Sequence, residues 1–186
     1  MKPDEQRYRY PQIPANNVNK DAVVLLSLLV IGVQSSGNVS TKKDRDEAAI
    51  RALEERFTAA FNAGDIDAMM KNYIQDESLF VFDVVPRKQY SGAGAYRKSW
   101  VDFFKHFKGK PKIAITDLGI TVDGKLGFSH SIQRVTGTDR QDRPVDRTVR
   151  VTDGYRKIGG KWLIVLEHIS VPADLATGKA VLSANP

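Results

Sequence analysis

The sequence predicts one α+β domain, in which helices come first and a long antiparallel meander of strands follows. Apolar residues before Phe104 recur at helical spacing, and the chain after Gly109 is rich in strand-forming residues that turn signals divide into segments. A parallel doubly wound sheet would alternate strands with helices, and this order excludes it. The 41% hydrophobic and 27% charged residues are typical of a globular protein with a substantial core.

The first helix is predicted from Asp44 onward, because the apolar residues between Ile50 and Phe61 fall on one stripe. Asp44 or Asp46 can cap its start, and Gly64 ends it. A short second helix follows. The segment SGAGAY opens a third helix, and without a Walker or Rossmann pattern before it this segment is weak evidence for phosphate binding.

Strands are predicted over 78–85, 112–122, 126–136, 147–157 and 162–171, because these segments are rich in β-branched and aromatic residues. An Asp-Gly pair joins the second of them to the third, and a Gly-Gly pair joins the last two. Both pairs are typical of tight hairpins. The last four segments are therefore expected to form an antiparallel meander.

The domain is expected to span 44–172, between a polar tail at 1–43 and a second tail at 173–186. Within the first tail, the uncharged segment 22–33 is too short to cross a bilayer, but it has the length of a signal-peptide core. It predicts export to the periplasm or the medium, with no stable membrane insertion. The alternative is a helix that packs on the domain of a cytoplasmic protein.

The charge pattern does not predict nucleic-acid binding. The formal net charge is +6, yet the basic residues are scattered and many stand beside acidic ones. A nucleic-acid-binding face would gather them along one element. The chain has no cysteine, which excludes disulfides, thiolate zinc sites and cysteine nucleophiles.

Two aspartates stand among apolar or aromatic strand residues. An ionised carboxylate at Asp83 is costly unless it is hydrogen-bonded or lines a cavity. Asp83 is therefore either a general base with a raised pKa or a strand-end residue that accepts backbone N–H groups. Alternation puts Asp153 on the same face as Val151 and Tyr155. It is either a pocket residue or the partner of an arginine on a neighbouring strand.

Histidines and one arginine are further candidates. His130 and Arg134 share a face of their strand and together are suited to hold a carboxylate. Cross-strand hydrogen bonds or ion pairs are the alternative. His106, His130 and His168 come from unrelated elements without paired spacing, so no metal site is predicted. No cofactor is expected either.

Four segments together resemble the nuclear transport factor 2-like superfamily: FTAAFNAGDIDAMMKNY, SLFVFD, SGAGAYRKSW and YRKIGGKWLIVLEHIS. The similarity extends from Asp44 to Pro172. It is strongest to SnoaL-like domains, ketosteroid isomerases and the association domain of calcium/calmodulin-dependent kinase II. The resemblance implies a cystatin-like fold, in which three N-terminal helices wrap a cone-shaped, curved, antiparallel-rich sheet. It also implies a homodimer formed through the outer face of the sheet.

The resemblance to ketosteroid isomerases implies roles for individual residues. Asp83 corresponds to the general base, and Asp153 to the acid that donates a hydrogen bond to the dienolate oxygen. Phe57 takes the position of the oxyanion tyrosine without its hydroxyl, and such a loss costs about two to three orders of magnitude in rate. Tyr73 and Trp100 correspond to pocket aromatics. The other expected pocket residues are His130, Arg134, Tyr155 and His168.

Three functions remain open at this point. The first is a cofactor-independent isomerase, cyclase or dehydratase that moves a proton next to a carbonyl group, with Asp83 as the base. The second is a non-catalytic module that binds a small apolar or carboxylate-bearing molecule through Arg134 or His130. The third is a dimerising domain whose pocket has no role. The fold does not choose among them, because one fold hosts many functions.

Overall fold

A computed structural model describes residues 40–85 and 89–182. The predicted signal segment at 22–33 lies outside the described residues, as does most of the tail. The described residues form three helices, and none of these is both long and apolar enough to cross a membrane. The helices are α1 (Lys42–Ala63), α2 (Ile66–Met70) and α3 (Ala93–Phe104).

The described residues also form eight strands. These are β1 (Phe80–Phe82), β2 (Tyr90–Ser91), β3 (Lys112–Asp123), β4 (Leu126–Thr138), β5 (Pro144–Ile158), β6 (Lys161–Ser170), β7 (Ala173–Asp174) and β8 (Lys179–Ala180). Six of them form a curved sheet in the order β2-β1-β6-β5-β4-β3, and β7 and β8 form a separate hairpin. β3 to β6 are the expected antiparallel meander, whereas β1 pairs with β6 in parallel. This arrangement confirms the predicted α+β class.

The start of α1 differs from the prediction, because Thr41 caps the helix. The Thr41 hydroxyl accepts a hydrogen bond from the Asp44 N–H at 3.1 Å, and the Asp44 carboxylate accepts one from the Thr41 N–H at 2.8 Å. This reciprocal pair is a capping box. Asp46 is instead buried, where it accepts hydrogen bonds from Lys157 and from the Trp162 indole N–H. Asp46 therefore links α1 to the hairpin end of β5 and β6.

Glycines form the predicted helix end and the last hairpin. Gly64 ends α1 with a φ of 68°. Gly159 and Gly160 have φ values of 56° and 80°, so the two-residue loop between Ile158 and Lys161 uses conformations that residues with a Cβ rarely adopt. The short loop fixes the register of β5 against β6.

A β-bulge interrupts β6 at Val165. Tyr155 of β5 pairs with Ile164, and the preceding residue of β5, Gly154, pairs with Leu166. One residue of β6 is therefore extra. After Val165 the side chains that would have faced inward face outward, and those that would have faced outward face inward.

The core lies between the helices and one face of the sheet, and aromatic rings make up much of it. Phe61 contacts Trp100 edge to face at 5.8 Å between ring centroids, and Phe57 contacts Tyr73 in the same way at 6.1 Å. Such pairs add to the stabilisation that burial of their area provides. Aliphatic residues from α1 and the sheet complete this layer, among them Ile50, Leu53, Ile113, Val122 and Ile164.

Several short elements depart from the sequence prediction. β1 is three residues long, where eight were predicted at 78–85. β2 and the β7–β8 hairpin were not predicted at all. Each of these strands has only two residues, which is too short for a periodic pattern to be visible.

Candidate functional site

A row of polar side chains crosses the helix-facing side of the sheet. Ser129 of β4 pairs with Asp153 of β5, and Asp153 pairs with Glu167 of β6. Their exposed fractions are 1%, 2% and 5%. Cross-strand neighbours on one face lie about 4.5–5.5 Å apart at Cβ. The sheet thus holds two carboxyl groups side by side in the interior of the domain.

Glu167 is held by two tyrosine hydroxyls. Tyr73, which follows α2, donates a hydrogen bond to Glu167 Oε2 at 2.6 Å, and Tyr96 of α3 donates one to Oε1. Both tyrosines are buried. Burial raises the pKa of Glu167 to about 7, and the two hydroxyls act against that rise because they stabilise the ionised form. Each Glu167 oxygen therefore has a donor of its own.

Asp153 lies directly across from Glu167 on the inner face, and the Glu167 and Tyr155 side chains both act on its pKa. Its Oδ1 atom is buried without a hydrogen-bond partner among the described residues. Burial, and then the neighbouring Glu167 and Glu54 carboxyl groups, raise the pKa of Asp153 well above its usual value. Burial thus favours the protonated form of Asp153, and Oδ1 is the oxygen without a partner. No arginine of a neighbouring strand pairs with it among the described residues, so that alternative is not seen.

A third buried carboxyl group comes from α1. Glu54 is 3% exposed, and its Oε1 accepts a hydrogen bond from the Tyr155 hydroxyl at 2.6 Å. Ser129 contacts the same hydroxyl at 2.7 Å. Since Tyr155 has only one proton, which it gives to Glu54, Ser129 is the donor in the second contact. Burial raises the pKa of Glu54 as well.

The cluster contains no compensating cation. None of the ion pairs formed within residues 40–85 and 89–182 includes Glu54, Asp153 or Glu167. Buried carboxyl groups without cations bind protons more tightly than exposed ones do. The described residues also contain no group of three or more His, Asp and Glu side chains that could hold a metal ion. Carboxyl and hydroxyl groups in contact, as in this cluster, can exchange protons and donate hydrogen bonds.

Asp83 lies just beyond β1 and is half-buried. It accepts a hydrogen bond from the Val84 N–H at 2.6 Å, which is the strand-end arrangement expected of a structural aspartate. Burial nevertheless raises the pKa of Asp83, and its charge acts on Tyr96 and Glu167. Both interpretations of Asp83 thus retain support, and the aspartate lies near the cluster.

Four of the predicted pocket residues belong to this interior. Tyr73 and Tyr155 donate to the carboxyl groups, and Phe57 packs against Tyr73. Trp100 is half-buried beside Tyr96, with ring centroids 5.5 Å apart. The Trp100 indole N–H is buried and has no partner among the described residues.

The structure does not bring His130, Arg134 and His168 into this interior, which corrects their predicted location. All three are exposed, because their strands turn these positions to the opposite face. His130 lies across β3, where its ring occupies the space that a Cβ on Gly119 would need. Arg134 pairs with Asp146 on the neighbouring strand, which is the ion-pair alternative.

His168 and Glu167 exchange faces because of the β6 bulge. Continued alternation from Ile164 would turn His168 inward and Glu167 outward. After the extra residue Val165, Glu167 pairs with Asp153 on the inner face and His168 contacts the exposed Phe82. Glu54, Glu167 and the hydroxyl of Tyr96 were not singled out from the sequence. A glutamate on the apolar stripe of α1 was the one available signal for Glu54.

Comparisons with known proteins agree with this fold. The family model described as "SnoaL-like domain" matches residues 50–174. A nuclear transport factor 2-like protein of unknown function from Pseudomonas putida is 29% identical over 76% of this chain and 97% of that one, with a TM-score of 0.68. No curated protein matches the chain.

Two solved structures with provisional names share the fold at lower identity. One is a calcium/calmodulin dependent protein kinase II association domain from Xanthomonas campestris, with 22% identity, 72% of this chain and 91% of that one covered, and a TM-score of 0.58. The other is a dehydratase of the nuclear transport factor 2-like family from Streptomyces avermitilis, with 16% identity, 69% and 97% covered, and a TM-score of 0.59. The family model covers well over half of the chain, which confirms the resemblance. The chain belongs to the SnoaL-like family of the nuclear transport factor 2-like superfamily.

Proposed function

We propose that this protein is a cofactor-independent acid–base catalyst, an isomerase, cyclase or dehydratase, that moves a proton next to the carbonyl group of a small neutral molecule. The observation that carries the proposal is the buried Asp153, whose Oδ1 has no partner among the described residues. A carboxylic acid that stays protonated at neutral pH can donate a hydrogen bond to an oxygen that becomes negative during the reaction. Ketosteroid isomerase is the known example of such an acid.

Asp83 is the base in this proposal. Its carboxylate removes the proton next to the carbonyl group, and the electrons of the broken C–H bond move to the carbonyl oxygen, which Asp153 then hydrogen-bonds. Protonated Asp83 returns the proton to another carbon of the same molecule, so that no co-reactant is consumed. Burial raises the pKa of Asp83, which makes it a stronger base than an exposed aspartate.

The electrostatics of the cluster favour a neutral substrate over a carboxylate. The carboxylate-binding alternative depended on Arg134 or His130, and both side chains are exposed on the opposite face of the sheet. Arg134 is already paired with Asp146. A carboxylate beside Asp153 and Glu167 would add a further negative charge to a buried acidic cluster, which is unfavourable.

The shortage of free hydroxyl donors near Phe57 predicts a slow catalytic rate. Phe57 has no hydroxyl, and the nearby tyrosines Tyr73 and Tyr96 already donate to Glu167. The oxyanion would therefore have Asp153 as its principal donor. The Trp100 indole N–H, which is also unpartnered, is the second candidate donor. We expect slower turnover than a site with two preorganised donors supports.

The test is deuterium exchange into a panel of neutral cyclic ketones and lactones, followed by NMR with the full chain. Exchange needs only enolisation, so the exact product need not be known. Asp83→Asn is expected to lower the exchange rate by about 10²–10⁴-fold, and Asp153→Asn to lower it comparably. The matched control is Asp146→Asn, which removes an exposed carboxylate on the outer face and should leave the rate unchanged. Wild-type exchange no faster than in buffer across the panel would refute the proposal, as would an unchanged rate in Asp83→Asn.

A further inference from the structure

We propose that Glu167 is a positioning residue. Two tyrosine hydroxyls stabilise its ionised form, so the proton that the two carboxyl groups share stays on Asp153, which can then donate it in a hydrogen bond to a ligand. The inference concerns the protonation of Asp153 in the unliganded protein. Its consequence for turnover rests on the proposed function, but the protonation itself does not.

The geometry of the pair requires a proton between the two groups. Asp153 and Glu167 are cross-strand partners on the inner face, and both are almost fully buried. Two adjacent carboxylates in such surroundings cannot both be ionised near neutral pH. The pair therefore holds at least one proton.

The hydrogen-bond partners decide which member keeps that proton. Tyr73 and Tyr96 donate to the two oxygens of Glu167, one each, and hydrogen bonds to a carboxylate stabilise its ionised form. Asp153 Oδ1 receives no such bond among the described residues, and Tyr155, whose hydroxyl lowers the pKa of Asp153, gives its proton to Glu54. The negative charge consequently resides on Glu167 and the proton on Asp153.

The same partners explain how Asp153 can turn its proton to a ligand. A carboxylic acid carries its proton on either oxygen, so the proton of Asp153 can face Glu167 or lie on the free Oδ1. When the proton of Asp153 turns away from Glu167, each Glu167 oxygen still accepts a hydrogen bond from Tyr73 or Tyr96. Without these tyrosines the proton would be drawn to Glu167 instead.

The described groups that surround the pair include no cation. They come from α1, the segment after α2, the loop after β1, α3 and β5, and they are Glu54, Tyr73, Asp83, Tyr96 and Tyr155. The Glu54 and Asp83 carboxyl groups oppose a second negative charge on the pair. Tyr73 and Tyr96 stabilise the ionised form of Glu167, whereas Tyr155 alone, and to a smaller extent, stabilises that of Asp153.

The test follows the carboxyl carbon of aspartate by NMR in the full chain, with carbon-13 introduced at that position. One aspartate signal is expected to remain in the acid form at neutral pH and to disappear in Asp153→Asn, which assigns it. In Glu167→Gln the amide N–H donates to Asp153 and the negative neighbour is gone. The apparent pKa of Asp153 should then fall by about one unit or more. Tyr96→Phe, which leaves the carboxyl pair intact, should broaden the titration of Asp153 or lower its pKa as the proton moves to Glu167.

Glu55→Gln is the matched control, because Glu55 is an exposed neighbour of Glu54 on α1 and should leave the Asp153 signal unchanged. An ionised Asp153 in the wild type at neutral pH overturns the inference. So does an unchanged Asp153 titration in Glu167→Gln and Tyr96→Phe proteins whose circular dichroism is native. Because the measurement needs no substrate, a shifted titration without any turnover would refute the proposed function alone.

Discussion

Replacing Glu167 with glutamine should change how the stability of the protein depends on pH. Burial raises the pKa of Glu167 from the ordinary value of 4.5 to about 7 in the folded protein. The folded state therefore binds a proton more tightly than the unfolded state does. Stability from this group is fully present below pH 4.5 and is lost as the pH rises towards 7. Glutamine cannot ionise, so the variant should lack this loss.

The magnitude follows from the shift. A rise from 4.5 to about 7, at about 1.4 kcal/mol per unit, corresponds to about 3 kcal/mol of unfolding free energy. Glu167 is buried, so solvent screening does not reduce this figure much. Loss of the Glu167 charge also lowers the pKa of Asp153 in the variant. The variant therefore loses less stability than the wild type as the pH rises, which adds to the expected difference. The hydrogen bonds that glutamine fails to reproduce add an offset that is nearly independent of pH.

The assay is urea unfolding of the wild type and Glu167→Gln near pH 5 and pH 8. From the lower to the higher pH, the wild type should lose about 2–3 kcal/mol relative to the variant. Exposed Glu55→Gln serves as the control, and its profile should run parallel to that of the wild type. Parallel profiles for the wild type and Glu167→Gln would show that Glu167 has an ordinary pKa in the folded protein. The reasoning that burial raises the pKa of Glu167 would then be refuted.

Two further predictions concern positions outside the carboxyl cluster. Asp46→Asn should lower the melting temperature, because it weakens the bonds from Lys157 and Trp162 that link α1 to the sheet; an unchanged melting temperature in differential scanning calorimetry would contradict this role. Gly92→Ala should destabilise the protein by more than about 1 kcal/mol in urea unfolding, because Gly92 has a φ of 85° and a Cβ there would lie 2.2 Å from the Glu77 carboxylate. If Glu77→Ala restored the stability of the Gly92→Ala protein, crowding by the Glu77 side chain, and not the backbone conformation, would be the cause.

Local signals predicted the order of the long elements well. The apolar stripe of α1 and the Gly-Gly loop before β6 act over a few residues, so they can be recognised without tertiary information. The cap of α1 was assigned to the wrong residue because Thr41 and Asp44 cap reciprocally, and only the acidic partner was considered. The short strands β2, β7 and β8 depend on pairing with distant residues, which no local pattern encodes.

The individual site residues could be predicted only where a strand alternates without interruption. β5 is regular from Val149 to Tyr155 on its inner face, and the sequence placed Asp153 on that face correctly. β4 is polar on both faces, with Ser129 and Ser131 inward and His130 outward, so its pattern does not identify the buried side. The hydrophobic alternation that sets register is absent there.

The β6 bulge explains why the pairing of Asp153 with Glu167 could not be predicted from the sequence. The extra residue Val165 inverts the alternation just before Glu167, and β6 itself has no Gly or Pro at the position. The glycine at the bulge is Gly154 on the partner strand β5, and only the strand pairing reveals that it lies there. Tertiary contacts also favour the bulge. Glu167 finds two buried tyrosine hydroxyls on the inner face, whereas His168 reaches solvent and Phe82 on the outer one. An unbulged strand would bury His168 and leave both tyrosines without their acceptor, so the same contacts that build the site also select the irregular strand.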